Sequence, residues 1–169
     1  MDYKIDKMTQ LDWKQVSSIY LEGIRTGKAT FQTEVPNWEN WNGGHISSCR
    51  LVLRSCNIIL GWGALSPTSS RYVYSGVAEV SIYIGEKYRE RGLGKVILEK
   101  LIILSEKNGF WTLQSGIIRE NILSIKLHKS CGFREVGIRE KISKMNNGEW
   151  HDVVLMERRS KIVGIRDVI

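Results

Sequence analysis

The stretch Glu79-Val-Ser-Ile-Tyr-Ile-Gly-Glu-Lys-Tyr-Arg-Glu-Arg-Gly-Leu-Gly-Lys95 constrains this chain more than any other. Its first half alternates in polarity and is rich in β-branched residues, the pattern of a half-buried strand. Its second half is basic, carries Gly92 and Gly94, and opens an apolar-periodic segment that predicts a helix over 92–107. A strand feeding a short turn and a helix N-terminus leaves unpaired N–H groups pointing at one place, where the helix dipole adds positive potential. Such an arrangement holds phosphate. Arg89, Arg91 and Lys95 add fixed charge, and the two glycines let a phosphate approach the backbone closely.

Two common phosphate motifs do not fit. G-x-x-x-x-G-K-[ST] is absent, and G-x-G-x-x-G fails because Ile97 stands at the third glycine position.

The rest of the chain reads as β-α-α-β-β-β-α-β-α-β-β. Tyr3 and Ile5 mark a short strand, and Thr9-Gln-Leu-Asp12 has capping-box spacing before a helix carrying Trp13, Val16, Ile19, Tyr20 and Ile24. Gly27 stops that helix, 29–36 is an extended connector, and Asn37 caps a second helix that Gly43-Gly44 interrupts. Strands follow over 51–55 and 58–65, around a tight turn at Cys56-Asn57, and over 77–84. Beyond the long helix come a strand over 110–117, a helix over 121–130, and strands over 133–141 and 151–158. Asn146-Asn147-Gly148 predicts a type I′ hairpin turn between the last two. The class is α+β, with a mixed, largely antiparallel sheet of about seven strands and about four helices. One domain over 1–160 is expected, with 161–169 as a tail.

The formal charge of +7, from 25 Lys+Arg against 18 Asp+Glu, suits a polyanion: nucleic acid, a membrane surface or a phosphorylated cofactor. No RRM, KH, helix-turn-helix or zinc signature is present, so no nucleic-acid partner is expected. No apolar run approaches the ~18–20 residues that span a bilayer, so no membrane partner is expected either. Cys49, Cys56 and Cys131 form no C-x-x-C pair, which argues against a disulfide framework and a metal site. The first residues, Met-Asp-Tyr-Lys-Ile-Asp-Lys, hold no apolar core of a signal peptide, and a reducing, cytoplasmic setting is expected.

Arg89-x-x-Gly92-x-Gly94, between a strand and a helix, resembles the pyrophosphate loop of the GNAT family of N-acetyltransferases. Asn121-Ile-Leu-Ser124-Ile-Lys-Leu127-His128-Lys-Ser-Cys-Gly132-Phe133 is similar to the segment these enzymes lay beside the pantetheine arm. The resemblance spans nearly the whole chain, including the element order. It implies a three-layer α/β/α fold with acetyl-CoA as co-substrate, bound by Ile82, Tyr83, Ile84, Arg89, Glu90, Arg91, Gly92, Leu93, Gly94, Lys95, Asn121 and Ser124.

Within the family the chain looks most like the phosphinothricin and methionine sulfoximine acetyltransferases, through Ala29-Thr-Phe31-Gln-Thr-Glu34, Arg71-x-x-Tyr74-x-x-x-x-Glu79 and Gly148-Glu-Trp150-His151-Asp152. That likeness implies that Phe31, Arg71 and Tyr74 line the acceptor pocket, that Glu79 is the base, and that the protein is a homodimer. Ser69 stands where some of the group have a basic residue. His128 stands where many of the wider family have tyrosine, which protonates the departing thiolate; a helix-end histidine facing the C-terminal dipole accounts for the same residue.

The chemistry supports these types independently. A protonated amine must lose a proton before it attacks a thioester, and a carboxylate can take it directly or through water. A guanidinium suits an acceptor that bears a carboxylate or phosphinate. The small-molecule amine therefore stands first. Behind it come a peptide N-terminus, a polyamine, and a non-catalytic acyl-CoA-binding regulatory domain on the same fold.

Overall fold

Local signals account for most of the elements. The structure is a computed structural model that describes residues 2–165. Among these, the strands are β1 (Lys4–Lys7), β2 (Arg50–Ser55), β3 (Ile58–Pro67), β4 (Val77–Ile84), β5 (Thr112–Ile118), β6 (Arg134–Lys144) and β7 (Trp150–Arg159). The helices are α1 (Trp13–Arg25), α2 (Trp38–Gly44), α3 (Leu93–Lys107) and α4 (Ile122–Ser130). Residues 166–169 of the expected tail lie outside the described residues. From Ser160 to Gly164 the chain is tied down, since the Arg159 guanidinium donates to the carbonyls of Val163 and Gly164.

Asp12 accepts the Thr9 N–H at 2.8 Å, closing the expected capping box ahead of α1, and it also pairs with Arg54 at 2.9 Å. The Asn37 side chain accepts the Asn40 N–H at 2.9 Å, so α2 starts where expected. Gly43 and Gly44 do not break that helix; they form its last turn.

The sheet order is β1-β2-β3-β4-β5-β7-β6. Every neighbouring pair is antiparallel except β4 with β5. Val52, Ile59, Trp62 and Ala64 pack with Val16, Ile19 and Tyr20 of α1 and Trp41 of α2 on one face. Leu65, Ala78, Val80, Leu113 and Met156 pack with Leu98, Leu101 and Ile102 of α3 and Ile125 of α4 on the other. The result is the α+β class that the element order predicts, in the three layers that the family resemblance implies.

One turn differs from expectation. A type I′ turn needs positive φ at both central residues, yet Gly148 (φ 89°) alone among Asn146, Asn147 and Gly148 has it. Gly148 N–H donates to Met145 O at 2.9 Å, and Met145 N–H to Glu149 O at 2.8 Å. This is a three-residue loop, with ordinary turn geometry at the two asparagines and glycine supplying the left-handed bulge residue.

Candidate active site

The site is built on a defect in the sheet. β4 and β5 pair in parallel over three positions only, Val77–Thr112, Ala78–Leu113 and Glu79–Gln114. Beyond Glu79, β4 continues on β3 and β5 continues on β7, so the two strands separate. In the opening lie two neighbouring cavities of about 700 and 280 Å³. Ala29, Ile82, Tyr83, Asn121 and Ser124 line both.

The larger cavity is mostly a backbone structure. Gly85 N–H donates to Leu60 O at 2.8 Å, and Tyr83 pairs opposite Trp62. Alternation along an antiparallel ladder therefore turns the backbone of residues 81 and 83 toward β3 and that of Ile82 and Ile84 toward the opening. The Ile84 carbonyl there accepts Arg89 Nε at 3.2 Å. Glu90 (φ 60°) and Gly92 (φ 77°) are both left-handed, and this alternation in handedness gathers successive N–H groups into a concave nest at the start of α3. A Cβ built on Gly92 meets nothing within 4 Å, so the cradle stands open. Gly94 faces Leu127 of α4, which a Cβ there would approach to 3.0 Å.

Of the residues expected at the cofactor, all but Arg91 line this cavity. Arg91 is exposed and holds its guanidinium 5.9 Å from the centre of the Tyr88 ring. A carboxylate side chain repels phosphate, so only the backbone of Glu90 suits an anion in this cavity. Lys28, Tyr88 and the α4 stripe Leu123, Lys126, Leu127 and Ser130 also line it. Their i, i+3, i+4, i+7 spacing was legible in the sequence as a helix face, although the face's partner was not.

The smaller cavity is a side-chain structure. Glu79, Ser81 and Tyr83 project from one face of β4, while His128 comes from α4 on the opposite face of the sheet. Because the strands have parted, one chamber reaches both. Gln114 Nε2 donates to Glu79 Oε2 at 3.4 Å, a long bond across the last paired position before the split. Phe31, Thr30 and Gln32 enter from the loop after α1, and Ser115 and Gly116 from β5. Tyr83 stacks on Trp62 at 4.7 Å and lies beneath Gly23, where a Cβ would come within 2.5 Å of the ring. That approach explains a glycine inside α1. Burial pushes the Tyr20 and Tyr83 phenols up, so both stay protonated.

His128 is buried, and its ring meets Phe133 edge-on at 5.0 Å. Its Nδ1 lies 2.8 Å from the Ser124 carbonyl, which can only accept, so Nδ1 carries the proton. Burial pushes the imidazole below its ordinary value, which favours the neutral ring. Nε2 is then a bare lone pair, buried and without a partner among the described residues. The bond to Ser124 ties the ring to a carbonyl of its own helix, so a structural role at the end of α4 accounts for Nδ1 and leaves Nε2 unaccounted for.

Arg71 and Tyr74 line neither cavity. They sit on the exposed loop between β3 and β4, where the Arg71 guanidinium lies 5.4 Å from the centre of the Tyr74 ring. The loop leaves and re-enters the sheet beside Glu79, which pairs opposite Ser66. Burial pushes the Cys131 thiol up, which disfavours a thiolate nucleophile there. No group of three or more metal-ligating side chains occurs among the described residues, and no helix is long and apolar enough to cross a membrane.

The sequence profile of the acetyltransferase (GNAT) domain matches residues 57–155, which carry the split strands, the nest and α4. The chain belongs to the GNAT acetyltransferase family. It is an enzyme, and acetyl-CoA is its acetyl donor. It is 30% identical over 152 residues to YwnH of Bacillus subtilis (strain 168), whose phosphinothricin acetyltransferase name is provisional; the match covers 87% of this chain and 93% of that protein. It is 28% identical over 155 residues to the phosphinothricin N-acetyltransferase of Alcaligenes faecalis, covering 87% and 77%. The fold of a Sinorhizobium meliloti phosphinothricin acetyltransferase, solved in complex with acetyl-CoA, superposes with a TM-score of 0.84 at 22% identity, covering 100% of this chain and 96% of that one.

Proposed function

We propose that residues 1–160 form one catalytic domain that transfers the acetyl group of acetyl-CoA to the primary amine of a small, amino-acid-like acceptor such as phosphinothricin or methionine sulfoximine. The observation that carries this reading is the split of β4 from β5: Glu79 and His128 line one small chamber beside the larger cavity that ends on the nest of α3. The names of the relatives point to the same acceptor class.

The cofactor supplies an acetyl group activated as a thioester. The nest from Arg89 to Lys95 holds its pyrophosphate, Arg91 adding long-range charge, and the outward backbone groups of Ile82 and Ile84 meet the amides of its arm. Glu79 takes the proton from the acceptor ammonium, directly or through a water, which frees the amine lone pair to attack. After attack the nitrogen carries one excess proton; neutral His128, with Nε2 bare, takes it, and then gives it to the sulfur as the C–S bond breaks. Phe31 supplies an apolar wall, and Arg71 and Tyr74, brought over from the exposed loop that re-enters the sheet beside Glu79, meet the acceptor, the guanidinium at its acid group.

The setting proposed is cytoplasmic, consistent with three free cysteines. The assembly proposed is a homodimer, supported by exposed Val136, Ile138 and Ile142 on β6, which ends the sheet, and by Trp150 on its neighbour.

The test is free-thiol release from acetyl-CoA with phosphinothricin, methionine sulfoximine, methionine sulfone, ordinary amino acids, polyamines and a peptide with N-terminal alanine, run on wild type and Glu79→Gln. Turnover of the sulfoximine or phosphinothricin class, reduced about 100-fold or more by the substitution, is expected. Faster turnover of polyamine or peptide, or an unchanged rate in Glu79→Gln, would overturn the reading.

A further inference from the structure

The loop that leaves α1 crosses the junction of the two cavities. Lys28 lines the larger one, Ala29 both, and Thr30 and Phe31 the smaller. Most of its hydrogen bonds are local: Lys28 N–H donates to Thr26 Oγ1 at 3.2 Å and Gln32 N–H to Thr30 Oγ1 at 3.1 Å. The Thr30 hydroxyl stands beside the phenols of Tyr20 and Tyr83. One bond is not local. Asn121 Nδ2 donates to the Lys28 carbonyl at 3.2 Å, joining residues 93 positions apart across the opening of the sheet.

Asn121 uses both ends of its amide. Oδ1 accepts the Ser124 N–H at 3.2 Å and caps α4, while Nδ2 reaches over to the loop. One N–H and one lone pair remain, so contact with the cofactor is compatible with both bonds. From this geometry we infer that Asn121 is a positioning residue that straps the acceptor-side loop, residues 27–32, to the cofactor-side helix α4 and thereby sets where Phe31 stands in the acceptor chamber. The inference rests on the acceptor reading above. It adds a route by which occupancy of the larger cavity organises the smaller one: α4, gripped on its cofactor face, holds the loop in place. The Thr30 hydroxyl faces the β4 side, and Asn121 ties the loop to the α4 side. Phe31 follows next after Thr30, and its ring lies 6.3 Å from that of His151.

The cap and the strap can be separated by substitution. Asn121→Asp keeps an oxygen for the Ser124 N–H and is an equally good N-cap, but its other oxygen is an acceptor facing the Lys28 carbonyl. Asn121→Ser also keeps a capping oxygen, is neutral, and is too short to reach Lys28. Both variants should fold, with a melting temperature within about 4 °C of wild type. Both should raise the acceptor KM about fivefold, the worth of one net hydrogen bond, with a smaller loss of CoA affinity, since Asn121 also lines the larger cavity. Amide exchange of residues 27–32 in the CoA-bound protein should quicken in both.

An unchanged KM in both variants overturns the inference, even with faster exchange, because the strap would then hold a loop that the acceptor does not use. So does a loss of CoA affinity in Asn121→Ser larger than the rise in acceptor KM, which would make Asn121 a cofactor ligand only. The two proposals fail separately. If wild type acetylates no amino-acid-like amine, the acceptor reading falls, while amide exchange with CoA alone still shows whether residues 27–32 depend on Asn121.

Discussion

The two cavities of the split sheet are built from different materials. The larger cavity, which we propose takes the cofactor, is a backbone device: left-handed φ at Glu90 and Gly92, the N–H groups opening α3, and the outward edges of Ile82 and Ile84. The smaller one, proposed for the acceptor, is a side-chain device: Glu79 from one face, His128 from the other and Phe31 from a loop, with Arg71 outside it. A backbone device recognises what all members of a cofactor-sharing family have in common, and its geometry survives wide change in side chains. A side-chain device is retuned by single substitutions. The difference separates what this chain shares with its relatives from what sets its acceptor.

The sharpest way to break the cofactor side is Gly92→Asp. It forces a side chain onto a φ of 77° and sets a carboxylate in the open cradle where phosphate would lie. Calorimetry should show acetyl-CoA affinity falling about 100-fold or more, the equivalent of about 3 kcal/mol, with turnover lost in parallel. An unaltered affinity would move the phosphate site away from the nest. Relaxation of the neighbouring backbone cannot rescue this variant, because the added charge remains.

On the acceptor side the matching change is Arg71→Ala, with a smaller and more selective effect. Loss of a charge-assisted bond should raise KM about tenfold for carboxylate- or phosphinate-bearing acceptors and leave simple amines unaffected. Equal effects on both classes would remove Arg71 from acceptor recognition and leave it as the stacking partner of Tyr74.

The same contrast decides how much could be read from the residues alone. Alternation in 79–84, the glycines at 92 and 94 and the helical period that follows are local signals, and β4 and α3 lie where these signals place them. The capping oxygens of Asn37 and Asn121 were equally local. What escaped depends on tertiary register. Gln114 meets Glu79 only because β4 and β5 pair in parallel over three residues, and Lys28 meets Asn121 only because that pairing then fails. The left-handed Glu90 has no glycine to announce it, so the nest was legible at one of its two turning points. The hairpin near Gly148 shows the same limit: the Asn-Asn-Gly sequence announces a turn, but the choice between turn types lies with the pairing of β6 and β7. Arg71 was placed by resemblance alone, and its exposed position shows how little a motif says about a loop's orientation.

The smallest expected effect tests the buried side-chain chemistry through stability. Burial pushes His128 and His45 below the ordinary histidine value of 6.5. Above that value each imidazole is neutral whether the chain is folded or not, and no stability is at stake. As pH falls below 6.5 the unfolded chain takes up protons that the native state refuses, so stability drains until the folded value is reached. Each histidine contributes at most about 1.4 kcal/mol per pH unit in that window, which for a chain of this size is a fall of about 3–6 °C in Tm. Titrating carboxylates would add a slope of their own, so the informative measurement is a difference. His128→Gln removes one buried imidazole and should flatten Tm against pH between pH 7.5 and 5.5 by about that amount. His45 should keep its share, since its Nδ1 stays 2.6 Å from the Trp41 carbonyl near α2, remote from the chamber. A wild-type slope identical to that of His128→Gln would mean that the ring accepts its proton without cost. The bare Nε2 would then be open to water, and the chamber would lose the buried acceptor that distinguishes it from the solvated cradle beside it.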